Sequence, residues 1–181
     1  EEAEVLVSRI KASRFSLNGL KGLEPGVAEQ LLKYNGATTS QVLGGTAHAG
    51  SLLLNSLEHI SKEDAALLGK LADVDYLSLD GLNNIDSVVA AGLASFSGVL
   101  SLNGLESISD DSARELASHG GATSNNNYWL ELNGLTEISD KAAEELSAYK
   151  GKCLKLNGLK KLPAPAAKSL AKYRGNLQLD G

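Results

Sequence analysis

Leucines recur along this chain as an alternating pair, L-x-L, followed by Asn-Gly or Asp-Gly, another Leu, a polar step and the phrase A-x-x-L. The pattern returns about every two dozen residues, which is the signature of stacked structural repeats. The clearest copies are Leu130, Leu132, Asn133, Gly134, Leu135, Ile138, Ala143, Leu146 and Leu154, Leu156, Asn157, Gly158, Leu159, Leu162, Ala167, Leu170. Period-two alternation predicts a short strand with both leucines on one face. The Asn-Gly or Asp-Gly behind it predicts a sharp turn. Ser61, Asp86, Ser109 and Ser139 stand at one place in their repeats, where a side-chain oxygen takes a free backbone N–H and starts a helix. Pro25 and Pro163 take over that place in the first and last full repeats, where a missing N–H costs little.

Each predicted helix presents Ala and then Leu three residues on: Ala28/Leu31, Ala65/Leu68, Ala90/Leu93, Ala113/Leu116, Ala143/Leu146 and Ala167/Leu170. A bulky column follows, made of Tyr34, Leu71, Phe96, His119, Tyr149 and Tyr173. Two residues later Gly36, Gly98, Gly121, Gly151 and Gly175 are expected to end the helices in the left-handed conformation. Asp73 interrupts that glycine column. One such unit buries too few aliphatic side chains to offset its ordering entropy, so stability must come from neighbours.

The expected organisation is one continuous unit over residues 1–181: a partial repeat 1–14, repeats starting at 15, 52, 77, 100, 130 and 154, and a truncated repeat 177–181. Opening mid-repeat and without Met, the sequence reads as a segment of a longer solenoid. Two insertions, 37–50 and 122–128, fall between a helix end and the next strand. Their Gly, Ser, Thr and Asn content predicts loops that carry recognition or serve as decoration.

These residues resemble the leucine-rich repeat family, and the resemblance covers essentially the whole chain. The L-x-L strand, the Asn or Asp before x-Leu, and the closing helix carry it. The phrase 135–143 (LTEISDKAA) is also similar to a bacterial surface-protein subclass with repeats of the form I-x-I-P-x-S-V-x-x-I-G-x-x-A-F. The Asn stands two residues nearer the strand than in the common form, and the leading Leu is mostly missing. The resemblance implies a right-handed α/β solenoid with short parallel strands on a concave face and helices on a convex face. It also implies protein binding, and a cell-surface or extracellular setting.

The net charge is -5, and Lys is read as interleaved with Glu and Asp. That argues against a nucleic-acid footprint or a polybasic membrane patch. No apolar run approaches the roughly 20 residues that cross a bilayer. One cysteine, Cys153, allows no intrachain disulfide and no Cys-based zinc site. His48, His59 and His119 share no metal-site spacing, and the glycine-rich stretch 44–50 lacks the Lys-Ser/Thr of a phosphate loop. No cofactor, metal or catalytic residue is expected, and the chain reads as a binding module, not an enzyme.

Three columns are candidates for that binding. The first is polar: Asn18, Asn55, Asp80, Asn103, Asn133, Asn157 and Asp180 share an acceptor oxygen, which suits accepting a backbone N–H in the turn or from the next repeat. The second follows from strand parity, which turns Tyr76, Val99, Trp129 and Cys153 away from the leucines as one amphipathic stripe. The third runs Ser16, Leu53, Ser78, Ser101, Glu131, Lys155, Gln178, from small to charged. The expected binding residues are Tyr76, Val99, Trp129, Cys153, Glu131 and Lys155, and the expected partner is a protein. The alternatives are a spacer that self-associates end to end through strand edges, and a carbohydrate module using Trp129 and Tyr128 as platforms with Asn125, Asn126 and Asn127 as hydrogen-bonding arms.

Overall fold

The computed structural model describes residues 14–33, 50–72, 74–119 and 128–180. Within them seven strands alternate with six helices: β1 (Arg14–Ser16), α1 (Val27–Leu31), β2 (Gly50–Leu53), α2 (Lys62–Leu68), β3 (Val74–Ser78), α3 (Ser87–Ala94), β4 (Val99–Ser101), α4 (Asp110–Ala117), β5 (Trp129–Glu131), α5 (Asp140–Ser147), β6 (Cys153–Lys155), α6 (Ala164–Leu170) and β7 (Asn176–Gln178). The strands form one parallel sheet in chain order, and successive helices pack on one another. Phe15, Leu52, Leu77, Leu100, Leu130, Leu154 and Leu177 lie side by side, the register that the L-x-L alignment predicts. The architecture is α/β, repeating one strand–helix unit.

Both leucines of each central strand are buried, as in Leu77/Leu79, Leu100/Leu102, Leu130/Leu132 and Leu154/Leu156. They meet the helix alanines and leucines and the turn residues Leu82, Leu105 and Leu135 in one continuous core. Burying each such leucine contributes about 1.5–3 kcal/mol. Small helix residues bring neighbouring helices together: a Cβ on Gly69 would lie 2.1 Å from the Gly92 carbonyl oxygen. In α6 the pairing slips by one residue, so that Ala166 is buried and Ala167 half-buried.

All four expected helix caps form. The backbone N–H of Asp64, Val89, Ser112 and Ala142 donates to Ser61, Asp86, Ser109 and Ser139 at 3.0, 2.8, 3.0 and 2.9 Å. Pro163 precedes α6, whereas Gly26 caps α1 with φ 86°, the one positive φ among the described residues.

That last fact corrects the reading of the glycine column. Gly98, Gly151 and Gly175 do not have left-handed backbones; they are glycines for want of room. A Cβ on Gly151 would lie 2.1 Å from the Tyr149 hydroxyl and 2.7 Å from the Tyr128 carbonyl oxygen. The aromatic column thus fills the space that the glycine column leaves empty. Gly36 and Gly121, Tyr34, Asp73, the partial repeat 1–13 and nearly all of both insertions lie outside the described residues.

Candidate functional site

With the leucines committed to the helix side, the opposite face of the sheet is lined by the alternate residues, closed along one border by the polar column. That column is a continuous ladder. Asn55 N–H donates to Asn18 Oδ1 at 2.9 Å, Asp80 N–H to Asn55 Oδ1 at 3.4 Å, and Asn103 N–H to Asp80 Oδ1 at 2.9 Å. Asn133 N–H donates to Asn103 Oδ1 at 2.9 Å, Asn157 N–H to Asn133 Oδ1 at 3.1 Å, and Asp180 N–H to Asn157 Oδ1 at 3.0 Å. Each side chain accepts from the same position one repeat later, which explains why Asn and Asp interchange here: both supply that oxygen. Ser78 and Ser101 hydroxyls add bonds to Asn55 and Asp80 at 2.5 and 2.6 Å. The glycine after the Asn serves the same contact, since a Cβ on Gly158 would lie 2.0 Å from the Asn133 carbonyl oxygen. In the second repeat Ser56 stands there, and its hydroxyl donates to the Asn18 carbonyl.

Tyr76, Val99 and Trp129 are in register on adjacent strands and half-buried, so each offers part of its surface. Burial, with smaller contributions from the Glu131 and Asp80 carboxylates, raises the Tyr76 hydroxyl above its ordinary pKa and keeps it a neutral donor. Cys153 continues the row in register but is 1% exposed. The stripe therefore ends at Trp129, because a short side chain beside the much larger indole does not reach the surface. Burial also raises the Cys153 thiol, and a neutral, enclosed thiol is a poor nucleophile.

Glu131 is likewise buried, at 8% exposure. Its Oε1 lies 2.7 Å from Lys155 Nζ, and that hydrogen bond raises the lysine's pKa. The same ammonium sits 5.1 Å from the centre of the Trp129 ring, a cation–π distance. Glu131 thus acts as the counter-ion that fixes Lys155 over Trp129. Trp129 Nε1 is buried without a hydrogen-bond partner among the described residues.

Along the third column Ser16 is exposed, Leu53, Ser78 and Ser101 are buried, and Gln178 is half-buried. At the β1–β3 end, Arg14, Ser51, Leu53, Asn55, Tyr76, Ser78 and Asp80 line a shallow polar depression of about 370 Å³. The strand alignment already sets Arg14, Ser51 and Tyr76 in one row, as the register has them; the depression forms where that row meets the ladder residues Asn55 and Asp80.

The carbohydrate arrangement is corrected in one part. Tyr128 is 6% exposed and packs edge-on to His119 at 5.6 Å, so it is no platform; Asn125, Asn126 and Asn127 lie outside the described residues. His119 stacks between Phe96 at 6.5 Å and Tyr149 at 6.0 Å, with its ring nitrogens 3.4 Å from the Ala94 and 3.2 Å from the Gly98 carbonyl oxygens. Burial lowers its pKa, and His119 behaves as a core aromatic. His59 is exposed and His48 lies outside the described residues. Among the described residues no group of three His, Cys, Asp or Glu side chains could hold a metal, and no helix is long and apolar enough to cross a membrane. No protein-family model matches this chain, and no curated protein matches it.

Proposed function

We propose that this chain is a non-catalytic protein-binding module of the leucine-rich-repeat type, coiled as a right-handed solenoid and binding through the sheet face opposite its helices. The handedness follows from the general rule that strand–helix–strand crossovers between parallel neighbours are right-handed. The carrying observation is the Tyr76–Val99–Trp129 row, half-buried on three adjacent strands, with Lys155 clamped over the indole by Glu131. Such a surface combines large aromatic area with one oriented ion pair and little residual freedom, so a partner need not order it on binding. The insertions 37–50 and 122–128, read from the sequence as recognition loops, lie almost wholly outside the described residues.

Self-association as a spacer and sugar binding remain the rival readings, and the second is weakened because Lys155 covers the Trp129 ring and Tyr128 is buried. The test is affinity capture from native lysate or medium with the unaltered chain, Trp129→Ala and Tyr76→Ala, each checked by circular dichroism. A captured protein lost with either folded variant supports the reading. Equal capture by all three overturns it.

A further inference from the structure

The interleaving of charges holds only as far as Lys150. Eight of the 17 basic residues stand in residues 150–181, with Asp180 as the sole carboxylate there, whereas residues 99–149 hold nine carboxylates against Arg114 and Lys141. The fold gathers part of this excess at one place. The loops leaving α5 and α6 enclose a groove of about 970 Å³, and Lys150, Lys152, Lys172 and Arg174 line it. All four are exposed, and none forms an ion pair among the described residues. Neutralising helix ends does not require them, because α2 and α3 end with no basic residue in the last turn. In earlier repeats the place of Lys172 holds Lys33, Lys70, Ser95 or Ser118, and the place of Lys150 and Arg174 holds no basic residue, so that only the last repeat carries basic residues on both sides of the bulky column.

Because every repeat runs strand, helix, strand in the same sense, helix ends lie along one border of the molecule and helix starts along the other. The starting border of α4 and α5 carries exposed Glu106, Asp110, Glu137 and Asp140. Two copies placed side by side in the same orientation bring the basic border of one against this acidic border of the next.

We propose that the groove between the α5 and α6 loops receives the acidic helix-start border of a second copy of this chain. Both complementary surfaces are on one molecule, and its small net charge of -5 opposes the contact only weakly. The contact is heterologous, so each pair keeps one free groove and one free acidic border, and association grows beyond the dimer with concentration. This surface is separate from the sheet face, and the inference does not depend on the protein-binding reading.

Sedimentation velocity at several concentrations tests it, in about 0.01 M and about 1 M salt, where the screening length is about 30 Å and about 3 Å. The expected result is a mass that at least doubles with concentration at low salt and a monomer at high salt. The folded variants K150E/K172E/R174E and D110K/D140K should each stay monomeric at low salt, and mixing them should restore association, because the reversed borders match each other. A wild type that stays monomeric at low salt, association that survives either variant, or a mixture that stays monomeric would each overturn the proposal.

Discussion

Along the border where each strand turns into its helix, the same devices return in repeat after repeat: a ladder oxygen, a glycine or serine against the preceding carbonyl, and a capping side chain. Along the border where each helix returns to its strand, the residues vary. Leu71, Phe96, His119, Tyr149 and Tyr173 fill one column, both insertions fall there, and the residues flanking the column range from Lys70 and Ala72 through Ser95 and Ser97 to Lys172 and Arg174. The difference lies in how backbone groups find partners. On the first border a side chain of one repeat satisfies an N–H of the next, which fixes chemistry and spacing together. On the second, the column residues fill volume, and where they also meet backbone carbonyls they do so by different groups, the His119 ring nitrogens at Ala94 and Gly98 and the Tyr173 hydroxyl at Gly151. A repeat molecule of this kind varies where no one side-chain group is required in every repeat.

That contrast can be broken most severely at Gly158. Alanine there puts a Cβ 2.0 Å from the Asn133 carbonyl oxygen, and the repeats on either side must move apart. We expect a loss of about 3 kcal/mol in urea unfolding. Gly151→Ala makes the matching test on the other border, where the obstruction is largely the Tyr149 ring. Pairing it with Tyr149→Leu should recover part of its cost, whereas no side-chain change rescues Gly158→Ala.

A smaller effect follows from removing a ladder acceptor. Asn133→Leu keeps the volume but strands the buried-border N–H of Asn157, at about 2 kcal/mol. Asn133→Asp retains the oxygen and should stay within a fraction of that, as Asp80 does in its own repeat. Equal losses for the two substitutions would mean that the ladder contributes packing and not hydrogen bonding.

The gentlest probe is pH. The folded pKa of His119 is lowered by burial, so the unfolded chain binds more protons below its ordinary value of about 6.5. Stability is therefore held above that value and lost as pH falls through it. His119→Phe should flatten this part of the melting-temperature profile, and an unchanged slope would assign the acid sensitivity to other groups.

The elements most legible in the sequence were those set by local chemistry and period: strand register from L-x-L, and helix starts from Ser61, Asp86, Ser109 and Ser139. The acceptor role of the Asn column was also readable, because Asn and Asp share only that oxygen. What escaped reading depends on contacts between repeats. Parity put Cys153 and Glu131 on the sheet face, yet the Trp129 indole and the Lys155 ammonium decide how much of each reaches solvent. The glycine columns looked like a conformational need and are a steric one. The basic groove was hidden by a chain-wide charge balance that a count for each repeat would have resolved.

Amide hydrogen exchange at the ladder tests the stacking most directly. The N–H groups of Asn103, Asn133 and Asn157 open the turn behind each strand, where an unpaired amide exchanges quickly, yet each donates to the preceding repeat. They should exchange as slowly as the strand amides on either side and speed up together in Asn→Leu ladder variants. Fast exchange at these three positions in the unaltered chain, beside protected strands, would contradict the account.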